Sequence, residues 1–253
     1  MPTPFYHLSI ADELLASSDL PGELNAFLNQ QRCAFYLGKT APDVQSISGQ
    51  TRQETHFYHV PLVDPTDPWL HMFDQHPALQ DASQMAPAHT AFIAGYICHL
   101  QADIIWIKDL FVPYFLPRLK KGDHKYIAHV HNALRTYLDE QILPGLQHGA
   151  GTCLHSARPN GWLPFVEQSD LVRWRDFLSD QLMPGAQSQT VQVFAERLGM
   201  SPEEFLQLVR SEERMESEVF SFVPRQVLVE YRDKLIAANL KLLVSYLGGK
   251  VSL

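Results

Sequence analysis

Apolar residues recur along this chain at helical intervals, and the recurrence predicts most of its elements. Leu8, Ile10, Ala11, Leu14 and Leu15 mark a first helix that stops at the Ser17-Ser18-Asp19 turn. Leu24, Phe27 and Leu28 mark a second, from Gly22 to Gln31. The stretch from Ala91 to Leu110 is apolar on nearly every side and predicts a buried central helix, running from about Ala88 to Phe111 and broken by Pro113 and Pro117. The next helix runs from Asp123 to Leu143, with Leu134, Tyr137, Leu138 and Ile142 toward the core. Further helices are expected at Ser169 to Leu182, Ser188 to Leu198, Ser201 to Arg214 and Pro224 to Leu247. Ser201-Pro202-Glu203-Glu204 is a helix start, with a Ser cap, Pro in the first position and acids in the first turn. No strand-length alternation occurs, so the fold class is all-α.

Three stretches lack a sustained period. The segment from Phe35 to Leu62, with Gly, Pro and Ser scattered through it, reads as a structured loop. Asp64 to Pro77 is Pro-rich and reads as a surface wrap, and Cys153 to Phe165 as an irregular connection. The chain divides into a helical domain over 1–150 and a C-terminal helical extension over 151–253 that packs on it.

Composition narrows the classes. A net charge of -8 leaves no basic stripe for displacing counterions from nucleic acid. Cys33, Cys98 and Cys153 are too few and too scattered for a disulfide framework or a Cys-based zinc cage, which fits a reduced, cytoplasmic protein. The N-terminus lacks the layout of a signal peptide. His99, Gln101 and Asp103 interrupt the apolar stretch, so it reads as a core helix and not as a transmembrane segment. Leu235 to Leu247 is apolar enough to form a homodimer contact, although packing on the main domain is the simpler account.

All 12 histidines lie between His7 and His155, which places the candidate chemistry in the first part of the chain. His99 and Asp103, four residues apart, share one face of the central helix. A buried imidazole and carboxylate need partners, either each other or a metal ion. His7, the Ala41-Pro42-Asp43 turn, and His56 in Thr55-His56-Phe57-Tyr58-His59 supply more nitrogen and oxygen donors without Cys, a set that suits catalytic zinc. His59, His71, His76, His89 and His129 read as surface or turn residues, and Trp106 as core.

In their order and spacing, His7, Ala41-Pro42-Asp43, His56-Phe57-Tyr58 and His99-x-x-x-Asp103 resemble the zinc-dependent phospholipase C family, which includes the fungal single-strand nucleases. The resemblance covers roughly residues 1–140. It implies an all-α fold and a zinc site that hydrolyses phosphoesters, with His7, Asp43, His56, His99 and Asp103 as ligands. By the same resemblance Pro2, exposed if Met1 is removed, is a candidate amine ligand. The family pattern is not matched throughout: Asp109 and His131 stand as weaker ligand candidates, and Arg135 falls where the family has an acidic ligand. Arginine cannot ligate a metal but can hold a phosphate bidentately. The implied site therefore holds one or two zinc ions, with Asp43 as general base and Arg135 on the phosphoryl group. The substrate is a phosphoester, with a phospholipid head group as one candidate. A hydrolase of nucleotides or other small phosphoesters and a metal-binding scaffold without catalysis remain the alternatives.

Overall fold

The computed structural model describes residues 1–248, and every regular element among them is helical. Helix α1 (Pro4–Ala16) starts on Thr3, whose hydroxyl accepts from the Tyr6 amide, with Pro4 where a missing N–H costs nothing. Helices α2 (Gly22–Gln30) and α3 (Arg32–Thr40) follow. The loop expected from Phe35 is thereby corrected, since its first residues are helical. Gly38 is a poor helix former, and Lys39 and Thr40 are polar yet buried, so packing overrides the local signal. A 3₁₀ turn over Ala41–Val44 carries Asp43, and α4 (Gln45–Ser48) ends at Gly49 in the left-handed region, with φ 80°. The short α5 (Arg52–His56) is nucleated by a reciprocal cap between Thr51 and Glu54. The Pro-rich stretch holds α6 (Pro68–Gln75), which buries Trp69, Met72 and Phe73 and so is more than a surface wrap.

Helix α7 (Pro87–Trp106) runs through the centre. A π-helical stretch, Ile107–Phe115, extends it past Pro113 into α8 (Leu116–Leu119). Pro87–Leu119 is long and apolar enough to cross a membrane by length and composition, but 94% of its most apolar window is buried inside the helical body. Helix α9 (His124–Leu146) keeps Pro144 within its last turn. Of the irregular connection expected over Cys153 to Phe165, 157–165 are irregular as expected, and the first residues belong instead to α10 (Ala150–Ser156). It packs on α3 and on α11 (Gln168–Gln181), so closely that a Cβ on Gly151 would lie 2.9 Å from the Ser179 carbonyl oxygen. The chain continues through α12 (Thr190–Leu198), α13 (Pro202–Arg210), α14 (Glu212–Arg214), a π-helical turn over Met215–Phe220, and α15 (Arg225–Leu247). The last five positions assigned to the C-terminal extension, 249–253, lie outside the described residues.

One hydrophobic core joins Leu8, Phe35, Trp106 and Leu134 to Trp174, Phe205 and Tyr246, so 1–150 and 151–248 share an interior. A disulfide links Cys33 on α3 to Cys153 on α10, their Cα atoms 4.9 Å apart. This corrects the expectation of reduced thiols and removes the cysteine argument for a reducing compartment. The pair is 120 residues apart in sequence, and only the packing of α10 on α3 brings it together.

The closest helix pair positions the chemistry. A Cβ on Gly38 would sit 1.9 Å from the Phe92 carbonyl oxygen, and one on Gly95 2.3 Å from that of Phe35. Only glycine permits this backbone contact between α3 and α7. It sets Asp43, just beyond the end of α3, against the turn of α7 that bears His99 and Asp103.

Candidate metal centre

His99 and Asp103 project from α7 as the four-residue spacing requires, and both are completely buried. His99 Nδ1 donates to the Lys39 carbonyl at 2.8 Å, a bond supplied by the close approach of α3. That bond leaves Nε2 with its lone pair free, the tautomer of a metal-ligating histidine. His56, at the end of α5, has Nδ1 2.9 Å from the Thr55 hydroxyl. Thr55 donates its own proton to the Arg52 carbonyl, so its oxygen accepts from His56 and Nε2 is again free. His7 enters from α1 and stacks on His99, with centroids 3.8 Å apart.

The free atoms converge. His7 Nε2 lies 3.5 Å from Asp103 Oδ1, while His56 Nε2 and His99 Nε2 lie 3.6 and 3.7 Å from Asp103 Oδ2. His56 Nε2 is also 3.4 Å from Asp43 Oδ1. Ligands about 2.0–2.1 Å from a tetrahedral zinc are separated by roughly 3.3 Å, so each of these spacings is close to that between two donors on one ion. His7 Nε2, His56 Nε2, His99 Nε2 and Asp103 Oδ1 are buried with no hydrogen-bond partner. Each such atom costs about 1–3 kcal/mol of lost hydration, which a cation among them offsets. Two overlapping sets can hold a metal ion: His7, His99 and Asp103, and Asp43, His56 and His99.

Electrostatics prepares the donors. Burial lowers His7 to about 3, with the neighbouring His99 adding to the effect, and lowers His56 to about 4, with Arg52 adding to it. Both rings are therefore neutral lone-pair donors near pH 7. Burial alone would raise Asp103, but Arg52 and His99 hold it well below the usual carboxylate range. Asp43 is likewise held down against burial, by His99, His56 and Arg52.

Two groups that the sequence reading did not single out complete the centre. Arg52 Nη2 bonds Asp103 Oδ2, and its Nη1 lies 3.9 Å from Asp43 Oδ1. The Tyr58 hydroxyl donates to the same Asp103 oxygen at 2.6 Å. Phe57 takes the left-handed conformation, φ 59°, ends α5 and turns the chain so that Tyr58 reaches back. Arg52 stands one helical turn before His56, a signal that reading this segment as loop concealed. Lys39 is a third, with a buried ammonium that has no partner and is lowered to about 8 by burial.

The remaining predicted residues fall as follows. Asp109 lies on the π-helical stretch, pairs with Lys234 of α15 at 2.7 Å and belongs to neither candidate set. His131 Nε2 accepts from Trp106 Nε1 at 3.3 Å and packs against Phe115, so its lone pair is already used. Arg135 and Pro2 line a cavity of about 380 Å³ together with Asp43 and Arg52. His71 and His129 pair with Asp64 and Glu218, and His89 bonds the Trp162 carbonyl. Trp106 is fully buried.

Compared with protein-family models, curated proteins and solved structures, the chain matches none.

Proposed function

We propose that this chain is a zinc-dependent phosphoester hydrolase of phospholipase C-like design, with one ion held by His7, His99 and Asp103 and a second position at His56 and Asp43. One observation carries the reading: the buried Nε2 atoms of His7, His56 and His99, none with a hydrogen-bond partner, lie 3.5, 3.6 and 3.7 Å from oxygens of the buried Asp103 carboxylate, beside an open cavity. When bound, zinc supplies Lewis acidity that brings water into the nucleophilic range near neutral pH. Asp43, ionised and at the cavity edge, accepts the proton of an attacking water. Arg52, beside Asp43 on the same cavity, pairs with phosphoryl oxygens as negative charge builds on them.

The hold of Arg52 and Tyr58 on Asp103 favours a second reading, a metal-binding scaffold without turnover, because it engages one oxygen of a ligand. Metal analysis by ICP-MS on untagged protein, followed by a screen of phosphodiesters with the zinc-loaded chain, separates the two. Bound zinc with turnover supports the hydrolase, and bound zinc without turnover of any phosphoester supports the scaffold. Protein that refolds fully but binds no zinc removes both.

A further inference from the structure

The cavity beside Asp43 has a second side, built by α9, α11 and α12, that metal chemistry does not use. Arg135 of α9 and Arg197 of α12 both face it. Among the described residues neither forms an ion pair. Arg135 bonds only the Asn132 amide oxygen and the His131 carbonyl. Both guanidiniums lie over the Phe194 ring, at 4.3 and 5.5 Å from its centroid. The nearest acids are engaged elsewhere: Asp139 accepts from Thr3 and Thr190, and Asp43 faces His56 and Arg52. With Arg52, three guanidiniums border a space of about 380 Å³. Burial, followed by Arg197, lowers Arg135 to about 10, the mark of a cation short of a counter-charge.

We propose that Arg135 and Arg197 form an anion subsite, which takes a second negative group, a phosphate monoester or a carboxylate, on the arm of the substrate away from the scissile phosphoester. The inference rests on the zinc hydrolase reading and names its substrate class: an anionic phosphodiester. A planar guanidinium binds either anion bidentately. A choline-type head group finds no place there. The Phe194 face that would receive a quaternary ammonium is covered by two cations, and Trp174 and Phe177 on the same wall are left to pack an apolar part of the arm.

Two experiments test the subsite and keep its failure distinct from that of the hydrolase reading. In the first, EDTA-treated protein is titrated with inorganic sulfate by calorimetry. Saturable binding, weakened at least tenfold in Arg197→Ala and partly restored in Arg197→Lys, is expected. No binding, or binding that Arg197→Ala leaves unchanged, overturns the subsite. Arg197 is exposed, so its replacement leaves the core intact. In the second, the zinc-loaded protein is given 4-nitrophenyl phosphodiesters whose other arm ends in phosphate, carboxylate, hydroxyl or trimethylammonium. A kcat/KM at least tenfold higher for an anionic arm than for the hydroxyl arm is expected, with that ratio falling tenfold in Arg197→Ala. The better of phosphate and carboxylate identifies the group. Equal rates for all four, or preference for trimethylammonium, refute the subsite. If none of the four is hydrolysed although zinc is bound, the hydrolase reading fails, and the sulfate titration still decides whether the anion site exists.

Discussion

Arg52 bonds the Asp103 oxygen that faces His56 and His99, so a guanidinium stands at the position a second cation would share. Two unit charges about 4 Å apart repel by roughly 4 kcal/mol at an effective dielectric of 20. Arg52→Met is therefore expected to raise zinc stoichiometry from one toward two ions per chain, with the second at least tenfold tighter than in the wild type. Chelator competition with ICP-MS reads this directly. Loss of the first ion instead would make Arg52 the group that orients Asp103.

His99→Ala combined with Asp103→Asn removes donors from both candidate sets. A ligand present at 100 times its dissociation constant stabilises the fold by about 2.7 kcal/mol. Adding EDTA is expected to lower the melting temperature of the zinc-loaded wild type and to leave that of the double variant unchanged. An EDTA response in both would place the metal elsewhere.

Asp139 gives a pH signature apart from the metal. Burial raises it to about 7, whereas an unfolded Asp titrates near 3.9. Between these values the folded chain holds a proton that the unfolded chain has lost, so this contribution to stability is full below about pH 4 and fades as pH rises through 7. Asp139→Asn removes the slope. In metal-free protein, the melting temperature of the variant should rise relative to wild type between pH 5 and 8, and a constant difference would refute the shift.

Gly95→Ala places a methyl group against the Phe35 carbonyl and forces α3 and α7 apart. Overpacking of this kind costs about 3 kcal/mol. Because His99 relies on the Lys39 carbonyl for its tautomer, zinc affinity is expected to fall with stability. Normal zinc binding in a destabilised variant would separate packing from the site.

The disulfide closes a loop of about 120 residues, for which chain entropy predicts about 4–5 kcal/mol. Cys33→Ser with Cys153→Ser should lose a comparable amount in denaturant unfolding. Under non-reducing conditions, peptide mapping should recover Cys33 and Cys153 in one linked fragment. Cys98, buried and raised to about 12 by that burial, should resist thiol reagents until the chain unfolds.

The legible parts of this chain are those whose signal is local. His99 and Asp103 declare their common face through spacing, and Ser201 through Glu204 declare a helix start that forms as a reciprocal cap. His7, Asp43 and His56 sit on three separate elements, so residue type and resemblance group them in the sequence, and their spacing comes only from tertiary packing. Arg52 escaped notice because α5 is too short for a period to show. Asp109 is a ligand candidate by resemblance alone, and its pairing with Lys234, 125 residues further on, depends on the packing of α15. Arg197 belongs to a segment read as an add-on. Its relation to Arg135, like that of Cys33 to Cys153, is set by tertiary packing that no local pattern encodes.

The same disulfide fixes a dimension. Helix α3 leads into the Asp43 turn, and α10 packs on α11, which carries Trp174 and Phe177 on the opposite wall of the cavity. Trp174 in turn bonds the Thr40 carbonyl at 2.9 Å. A disulfide between α3 and α10 and a hydrogen bond from α11 to the last residue of α3 thus brace both sides, and the gap between Asp43 and the aromatic wall keeps a set width, as a caliper does.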